Sequence, residues 1–231
     1  MDQIQHKFKT LLNINDIPSR NIITSAVSTA IYLKNKMDLK NEKVFVIAQE
    51  AFTKTLDSYG IESFGLGPVA PRPIVDWKDY KVDPSVKYVI ISYDPYFTHT
   101  KLTEAYLYLT ENNAEFIAPD VDNFFSVSST RKVPGSLSAQ AALSSAFTDR
   151  SPLVMGKPDK FMFELIQQEH GEFDPEKTLM IGDNYQTDME FGFNCGVGTA
   201  LVLSGNTRPG EVEGLGKRPD YVFESISDIT E

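Results

Sequence analysis

Two short stretches decide the fold: residues 153–158, LVMGKP, and residues 179–188, LMIGDNYQTD. Each opens with an apolar run of strand length that is closed by a glycine, Gly156 in the first and Gly182 in the second. Residues 159–170 between them carry apolar side chains at a spacing of three and four, which predicts an amphipathic helix. A strand, a helix and a second strand predict a βαβ unit with both strands parallel in one sheet.

The loops that follow these two strands carry the charged residues of interest. Because the carboxyl ends of parallel strands share one edge of a sheet, Lys157 is expected to lie near Asp183 and Asp188. A lysine can hold a phosphoryl oxygen, and a carboxylate can bind Mg²⁺, which retains several waters. Together such groups offset the charge that develops on a transferring phosphoryl group. The pattern therefore predicts phosphate chemistry.

Each of these features also has a purely structural interpretation. The GKP sequence can be an ordinary turn, Asp183 can cap the next helix, and Asp188 can be a first-turn residue that favours the helix dipole. Taken singly, the structural interpretation is favoured for each. Their combination at the ends of neighbouring strands favours a functional site.

The same motifs resemble those of the haloacid dehalogenase superfamily. The resemblance is carried by GKP at 156–158, FMF at 161–163 and GDNYQTD at 182–188. More narrowly, the chain is similar to 4-nitrophenylphosphatases, phosphoglycolate phosphatases and pyridoxal phosphatases, which carry a large α/β cap. Residues 92–102, SYDPYFTHTKL, are similar to a cap signature of this group, as are, less closely, residues 133–139, VPGSLSA.

The resemblance implies an α/β fold, with a Rossmann-like parallel-sheet core and an inserted α/β cap domain. Residues 1–41 would form the N-terminal part of the core, residues 42–150 the cap, and residues 151–231 the C-terminal part of the core. The core is expected to be incomplete at its N-terminus.

The implied activity is hydrolysis of small phosphomonoesters with Mg²⁺ through an aspartyl-phosphate. The expected substrates are of the phosphoglycolate, pyridoxal phosphate or 4-nitrophenyl phosphate type. By resemblance, Lys157 would bind the phosphoryl oxygens, Asp183 would bind Mg²⁺, and Asp188 would support that metal site.

Substrate-binding side chains are expected on a polar loop of the predicted cap and beside the metal site. The related phosphatases place substrate-facing residues where this chain has Asp120, Asp122 and Asn123, and Asn184 is a further candidate. The alternative for the first three is a solvated loop of turn-forming residues.

One family feature is missing from the sequence. The family's nucleophile lies in an Asp-x-Asp-Gly motif, which does not occur in the 231 residues, and the nearest match, residues 120–123, lacks the glycine. An Asn-Asn-Ser-like second motif is also missing. The alternative function is therefore a catalytically inactive relative or a truncated form that binds phosphorylated ligands or a partner chain. A third hypothesis is an α/β domain whose loops only resemble the motifs.

Composition limits the remaining classes. With 41% hydrophobic and 23% charged residues the chain is globular, and its net charge of −10 argues against a nucleic-acid partner. The only cysteine, Cys195, excludes an intrachain disulfide and is interpreted as a packed thiol. No apolar run reaches the length of a membrane span, so no membrane partner and a cytoplasmic location are expected. The expected partner is a small phosphorylated metabolite, and the resemblance allows a homodimer through the cap.

Overall fold

Ten strands and seven α-helices occur in the residues that the computed structural model describes, which are 2–15, 17–128, 130–147, 150–214 and 216–229. The helices are α1 Asp2–Leu12, α2 Ser25–Lys36, α3 Glu50–Ser58, α4 His99–Glu111, α5 Ser136–Ser144, α6 Phe161–His170 and α7 Glu190–Cys195. The strands are β1 Lys43–Ile47, β2 Ser63–Phe64, β3 Val86–Ile91, β4 Glu115–Ala118, β5 Phe124–Ser126, β6 Lys132–Pro134, β7 Leu153–Val154, β8 Leu179–Gly182, β9 Gly198–Val202 and β10 Tyr221–Phe223. None of the described helices is both long enough and apolar enough to cross a membrane.

The larger sheet has five parallel strands in the order β2-β1-β3-β4-β7. Its central strands are apolar on both sides because helices cover both faces of the sheet. One face packs on α2 and α3, and the other packs on α4 and α5. The first of these core layers includes Ala30, Leu33, Val44, Val46, Leu56 and Ile90, and the second includes Phe45, Ile47, Val89, Ile91, Leu109 and Leu143.

The smaller parallel sheet has three strands in the order β10-β9-β8. Helix α7 lies close against it, since a Cβ at Gly192 would meet the Thr199 side chain at 2.5 Å. Strand β8 is an edge strand among the described residues, and Leu179 and Ile181 on it are 43% and 38% exposed. The strand that leads to Asp183 therefore leaves one side of its backbone unpaired in this sheet.

The prediction that β7 and β8 share one sheet is wrong. Strand β7 pairs with β4, with Leu153 opposite Ile117, whereas β8 pairs with β9. The pairing of β7 with β4 continues one residue beyond β7, since the backbone N–H of Met155 donates to the carbonyl oxygen of Ala118. The apolar pattern of a short strand predicts its existence but does not select its neighbour. The two loops nevertheless meet, because both strands end where the two sheets adjoin.

Three local patterns predict structures that differ from the ones observed. The polar composition of residues 119–133 predicts a loop, but these residues contain β5 and most of β6, which form an antiparallel hairpin. The short run at residues 21–23 predicts a strand but contains none, and a 3₁₀ turn occupies Ser19–Asn21. A helix is predicted from Thr187 onward, but it begins earlier, as a π-helical turn over Tyr185–Met189 that continues into α7. π-turns of this kind are common at functional sites.

Elements from outside residues 42–150 also pack on the five-stranded sheet. Helix α2 buries Ala30 and Leu33 against it, and the Ser28 hydroxyl donates to the carbonyl oxygen of Met155 at 2.8 Å. The division into residues 1–41, 42–150 and 151–231 stays a prediction. The packing shows that residues on both sides of the predicted cap contribute to its core.

The exposed edge of β8 is expected to cause self-association. Unpaired backbone groups flanked by exposed apolar side chains are a template for pairing with another chain. We expect Ile181→Lys to lower concentration-dependent association, because a charge at this edge opposes strand addition. Light scattering over a concentration series at neutral pH measures the effect.

Val127→Lys is the matched control for this edge. Val127 is 57% exposed and lies outside both parallel sheets, so this variant adds the same charge and also replaces an exposed β-branched apolar side chain. An equal reduction in both variants would show that net charge, and not the β8 edge, controls association.

Candidate active site

The centre of the site is an ion pair between Lys157 and Asp188. The Lys157 ammonium donates to Asp188 Oδ1 at 2.5 Å, and the carboxylate side chain is only 5% exposed. Asp188 Oδ2 accepts from the backbone N–H groups of Asp183 and Asn184, both at 3.0 Å. The Lys157 side chain remains 39% exposed, so its ammonium is held by Asp188 and still faces solvent. A lysine has three N–H donors, which leaves donors for an anion.

The loop after β8 can wrap around this carboxylate because residue 182 is a glycine. A Cβ on Gly182 would lie 2.3 Å from Asp188 Cγ and Oδ2. Asn184 then caps the π-helical turn, since its side chain accepts from the N–H of Gln186 at 3.1 Å. The sequence GDNYQTD therefore forms a tight turn around its own last residue.

The Asp183 carboxylate points toward the loop after β9. Its Oδ2 accepts from the backbone N–H of Asn206 at 2.7 Å, and its carbonyl oxygen accepts from the N–H of Thr207 at 2.8 Å. A Cβ on Gly205 would lie 1.9 Å from Asp183 Oδ2, so this loop can approach only with a glycine there. Within the described ranges, no donor reaches Asp183 Oδ1, which leaves that oxygen available to a cation.

The donor set around Asp183 fits a partly hydrated Mg²⁺. Among the described residues no three His, Cys, Asp or Glu side chains are arranged to hold a metal ion together. Mg²⁺ commonly takes one or two carboxylates and retains several waters, which one available oxygen on Asp183 can satisfy in part. Asp188 has both oxygens engaged by other donors, so its position suits a supporting role.

Two hydrogen bonds join the polar loop after β4 to the turn after β8. Asn184 Nδ2 donates to Asp122 Oδ1 at 3.2 Å, and Asn123 Nδ2 donates to Gln186 Oε1. The predicted substrate residues Asp122, Asn123 and Asn184 are therefore brought together, at the side of the turn that faces the five-stranded sheet.

Asp120 lies deeper in the same loop. Its Oδ2 accepts from the Ser92 hydroxyl at 2.6 Å, and its carbonyl oxygen accepts from Gln140 Nε2 at 2.6 Å. Asp120 Oδ1 is buried and has no hydrogen-bond partner among the described residues. A buried acceptor without a donor is costly, so Asp120 is a candidate for contact with a donor supplied by a ligand or by water.

A cleft of about 980 Å³ opens beside these residues, at the carboxyl ends of β1, β3 and β4. Strand order places β2 and β3 on opposite sides of β1, and the crevice at such a switch point is where open α/β sheets bind ligands. Its lining includes Gln49, Ser92, Tyr93, Asp120, Asp122 and Phe125. The cleft therefore adjoins the Lys157 site through Asp122.

A buried ion pair holds the loop that carries Tyr93. Lys101 donates to Asp94 Oδ2 at 2.6 Å, and both side chains are almost completely buried. The Tyr93 ring meets the Phe125 ring edge to face, with ring centres 5.4 Å apart. Because breaking a buried pair costs several kcal/mol, about 3–5, the loop is held firmly where it borders the cleft.

Burial affects two titratable groups near the site. Loss of solvent contact raises the pKa of Asp122, and repulsion from Asp120 raises it further, while Lys157 opposes the shift. Burial also raises the pKa of the Cys195 thiol to about 11, so this cysteine is protonated at neutral pH. The second result agrees with the interpretation of Cys195 as a packed thiol rather than a nucleophile.

Comparisons with known proteins identify the family. A family profile described as "HAD-hyrolase-like" matches residues 154–229. The chain is 30% identical over 226 residues to human glycerol-3-phosphate phosphatase, covering 91% of this chain and 69% of that protein. It is 33% identical to phosphoglycolate phosphatase 2 of Arabidopsis thaliana, covering 98% and 76%. The chain belongs to the haloacid dehalogenase superfamily of phosphatases.

Solved structures of haloacid dehalogenase phosphatases share the fold. The p-nitrophenyl phosphatase of Archaeoglobus fulgidus superposes with a TM-score of 0.77 at 23% identity, covering 98% of this chain and 80% of that one. The 4-nitrophenylphosphatase of Thermotoga maritima gives 0.73 at 26% identity, covering 97% and 78%. The family and the α/β fold predicted from the GKP and GDNYQTD motifs are confirmed.

Several residues that support Asp183 and Asp120 are not predicted by the sequence motifs. The N–H of Asn206 binds the Asp183 carboxylate, and the N–H of Thr207 binds the Asp183 carbonyl oxygen. Gln140 and Ser92 donate hydrogen bonds to Asp120. Their residue types are common in loops and carry no motif. Gly205, in the Gly-rich stretch after β9, is the one signal that a close approach of the backbone was required there.

Gly182→Ala is expected to destabilise the protein, because the new methyl group would displace the Asp188 carboxylate from its three donors. Overpacking of this kind costs about 1–3 kcal/mol. The melting temperature should fall by roughly 3–10 °C, as measured by thermal unfolding. Gly210→Ala is the control, since a Cβ there meets nothing within 4 Å. Equal melting temperatures for Gly182→Ala and the wild type would show that Gly182 does not pack closely against the Asp188 carboxylate.

Asp122→Asn is expected to raise stability at neutral pH. A raised pKa means that the folded state binds the Asp122 proton more tightly than the unfolded state, so the charged carboxylate opposes folding above both pKa values. The amide keeps the Oδ1 acceptor for Asn184 and removes the charge. Unfolding free energies from urea titrations at several pH values measure the difference.

The advantage of Asp122→Asn should grow as the pH rises from the ordinary aspartate pKa, about 4, to the raised pKa, and should be constant above it. It should disappear at pH values well below about 4, where the wild-type carboxyl is protonated in both states. A stability difference that is independent of pH would show that the charge of Asp122 is not the cause.

Proposed function

We propose that this site binds small phosphomonoesters together with Mg²⁺ for hydrolysis of the phosphate ester. One observation carries the proposal: the Lys157 ammonium and the Asp183 turn are joined through Asp188 at the end of β8. A fixed cation beside a carboxylate with an available oxygen is the arrangement that a phosphoryl group and a divalent cation require.

Lys157 is the phosphoryl-binding residue in this proposal. Asp188 orients its ammonium, and the remaining N–H donors of that ammonium bind the non-bridging phosphoryl oxygens. Asp183 would hold Mg²⁺, since one oxygen of its carboxylate accepts from the N–H of Asn206 and the other is available. The bound cation would offset negative charge on the phosphoryl group.

The alcohol portion of the substrate occupies the cleft. Asp120 and Asp122 repel a phosphate, which favours placing the phosphoryl group at Lys157 and the leaving group toward the five-stranded sheet. Asp120, Asp122, Asn123 and Asn184 would accept or donate hydrogen bonds to its hydroxyl groups. The relatives named for glycerol-3-phosphate and phosphoglycolate support a small substrate of this kind.

The complete reaction requires an attacking group that these residues do not include. In the family pattern an aspartate attacks phosphorus, the ester P–O bond breaks, and a general acid protonates the leaving alcohol. Water then hydrolyses the aspartyl-phosphate. No Asp-x-Asp-Gly motif occurs in the 231 residues, and this observation favours a second candidate function: binding of phosphorylated ligands without turnover.

Calorimetric titration with inorganic phosphate, with and without Mg²⁺, tests the binding proposal. Wild-type protein should bind phosphate, and Mg²⁺ should strengthen that binding. Lys157→Met should weaken phosphate binding about tenfold or more, because it removes a charge-assisted hydrogen bond. Asp183→Asn should abolish the effect of Mg²⁺. Lys160→Met is the control, since Lys160 is exposed and its salt-bridge partner within the described part of the chain is Glu164 of α6.

Turnover of 4-nitrophenyl phosphate separates the two candidate functions. Binding by this chain without turnover supports the second candidate. Robust turnover that is lost in Asp183→Asn would support the hydrolase and would show that another group attacks phosphorus. Wild-type protein that binds neither phosphate nor Mg²⁺ would contradict both candidates.

A further inference from the structure

The β5–β6 hairpin contacts the loop that holds Asp183. The Ser126 hydroxyl donates to Asn206 Oδ1 at 2.8 Å, and the Lys132 ammonium donates to the Asn206 carbonyl oxygen at 2.8 Å. Lys132 is also 3.6 Å from a carboxylate oxygen of Glu211 and lies over the Phe124 ring. Two residues of the hairpin, one on each strand, therefore bind the same residue of the loop.

Asn206 in turn positions the Asp183 carboxylate. Its backbone N–H donates to Asp183 Oδ2 at 2.7 Å. The carbonyl oxygen of Asn206, which accepts from Lys132, belongs to the following peptide group. Asp183 therefore binds the peptide group before the Asn206 Cα, and the hairpin binds the peptide group after it. A shift of the hairpin therefore moves the residue whose own backbone N–H fixes the orientation of the Asp183 carboxylate.

The same hairpin also borders the cleft. Phe125, Val127 and Val133 belong to the cleft lining, and the Phe125 ring contacts the ring of Tyr93, which also lines the cleft. Ser126 lies directly between Phe125 and Val127 and, because successive side chains of a strand point to opposite faces, reaches the other way, to Asn206. One face of the hairpin thus contacts the cleft and the other contacts the Asp183 loop.

We propose that Asn206 is a positioning residue through which the β5–β6 hairpin couples occupancy of the cleft to cation binding at Asp183. An organic group in the cleft fixes the hairpin, the hairpin fixes Asn206, and Asn206 fixes Oδ2 so that Oδ1 faces the cation. The coupling is reciprocal, so a bound cation also favours the ordered hairpin. The cation at Asp183 rests on the proposed function, whereas the contact between hairpin and loop does not.

Hydrogen exchange tests the contact without any metal. In Ser126→Ala/Lys132→Met, the backbone N–H of Asn206 should exchange about tenfold faster than in the wild type, because the loop opens more often. Glu211→Gln should leave the rate close to that of the wild type, since the Lys132 bond to Asn206 remains. Lys177→Met is the control for loss of an exposed, paired lysine away from the hairpin. Unchanged exchange in the double variant overturns the proposal.

Magnesium titrations test the coupling. Mg²⁺ affinity is measured with phenylphosphonate, whose ring can enter the cleft, and with inorganic phosphate, which lacks an organic group. In the wild type, phenylphosphonate should tighten Mg²⁺ binding about fivefold more than phosphate does. In the double variant the two anions should be equivalent. Equal effects of the two anions in the wild type, or an unchanged difference in the double variant, overturn the proposal.

The two experiments separate this inference from the proposed function. Wild-type protein that binds no Mg²⁺ contradicts the cation site at Asp183, and with it the coupling. The exchange of Asn206 then still decides whether the hairpin positions the loop. Mg²⁺ binding that is equal in the wild type and the double variant leaves the proposed function standing and removes the inference alone.

Discussion

The carboxylate of Asp188 is the group on which the arrangement of the site depends. It is buried, and it accepts hydrogen bonds from the Lys157 ammonium and from the N–H groups of Asp183 and Asn184. Lys157 follows a strand of the five-stranded sheet, whereas Asp188 follows a strand of the three-stranded sheet. One ion pair therefore joins the ends of both sheets. Loss of either partner would leave a buried or half-buried charge without compensation, which is more costly than loss of the pair.

The loops that form the site are held in place because their backbones pack closely against one another. At Gly135, Gly156, Gly182 and Gly205 a Cβ would lie within 2.3 Å of an atom in another segment or in the turn itself. The glycines let the loops after β4, β7, β8 and β9 pack directly on one another. Carboxylates at the junction are then oriented by backbone N–H groups, which have little freedom to move. Such support holds a binding geometry more rigidly than flexible side chains do.

Local patterns in the sequence predicted most of the elements and the chemical character of the site. Apolar and β-branched runs at residues 43–48, 86–92 and 115–118 predict the strands β1, β3 and β4, and Thr24 and Thr98 cap α2 and α4 as their residue types favour. The GKP and GDNYQTD motifs predicted the family and indicated Lys157 and Asp188 as site residues. These signals succeed because strand and helix periodicity, capping and turn chemistry act over a few residues.

Local sequence therefore determined the type of each element and the charged residues at its end. Which strands became neighbours was decided at longer range: β7 joined β4 rather than the sheet of β8, and residues 119–133 folded partly into a hairpin. Strand pairing depends on register and on the path of the chain, and a two-residue strand carries too little pattern to select a partner. The role of Asn206 has the same origin, since its bond to Asp183 spans 23 residues and uses a backbone N–H that every residue except proline possesses.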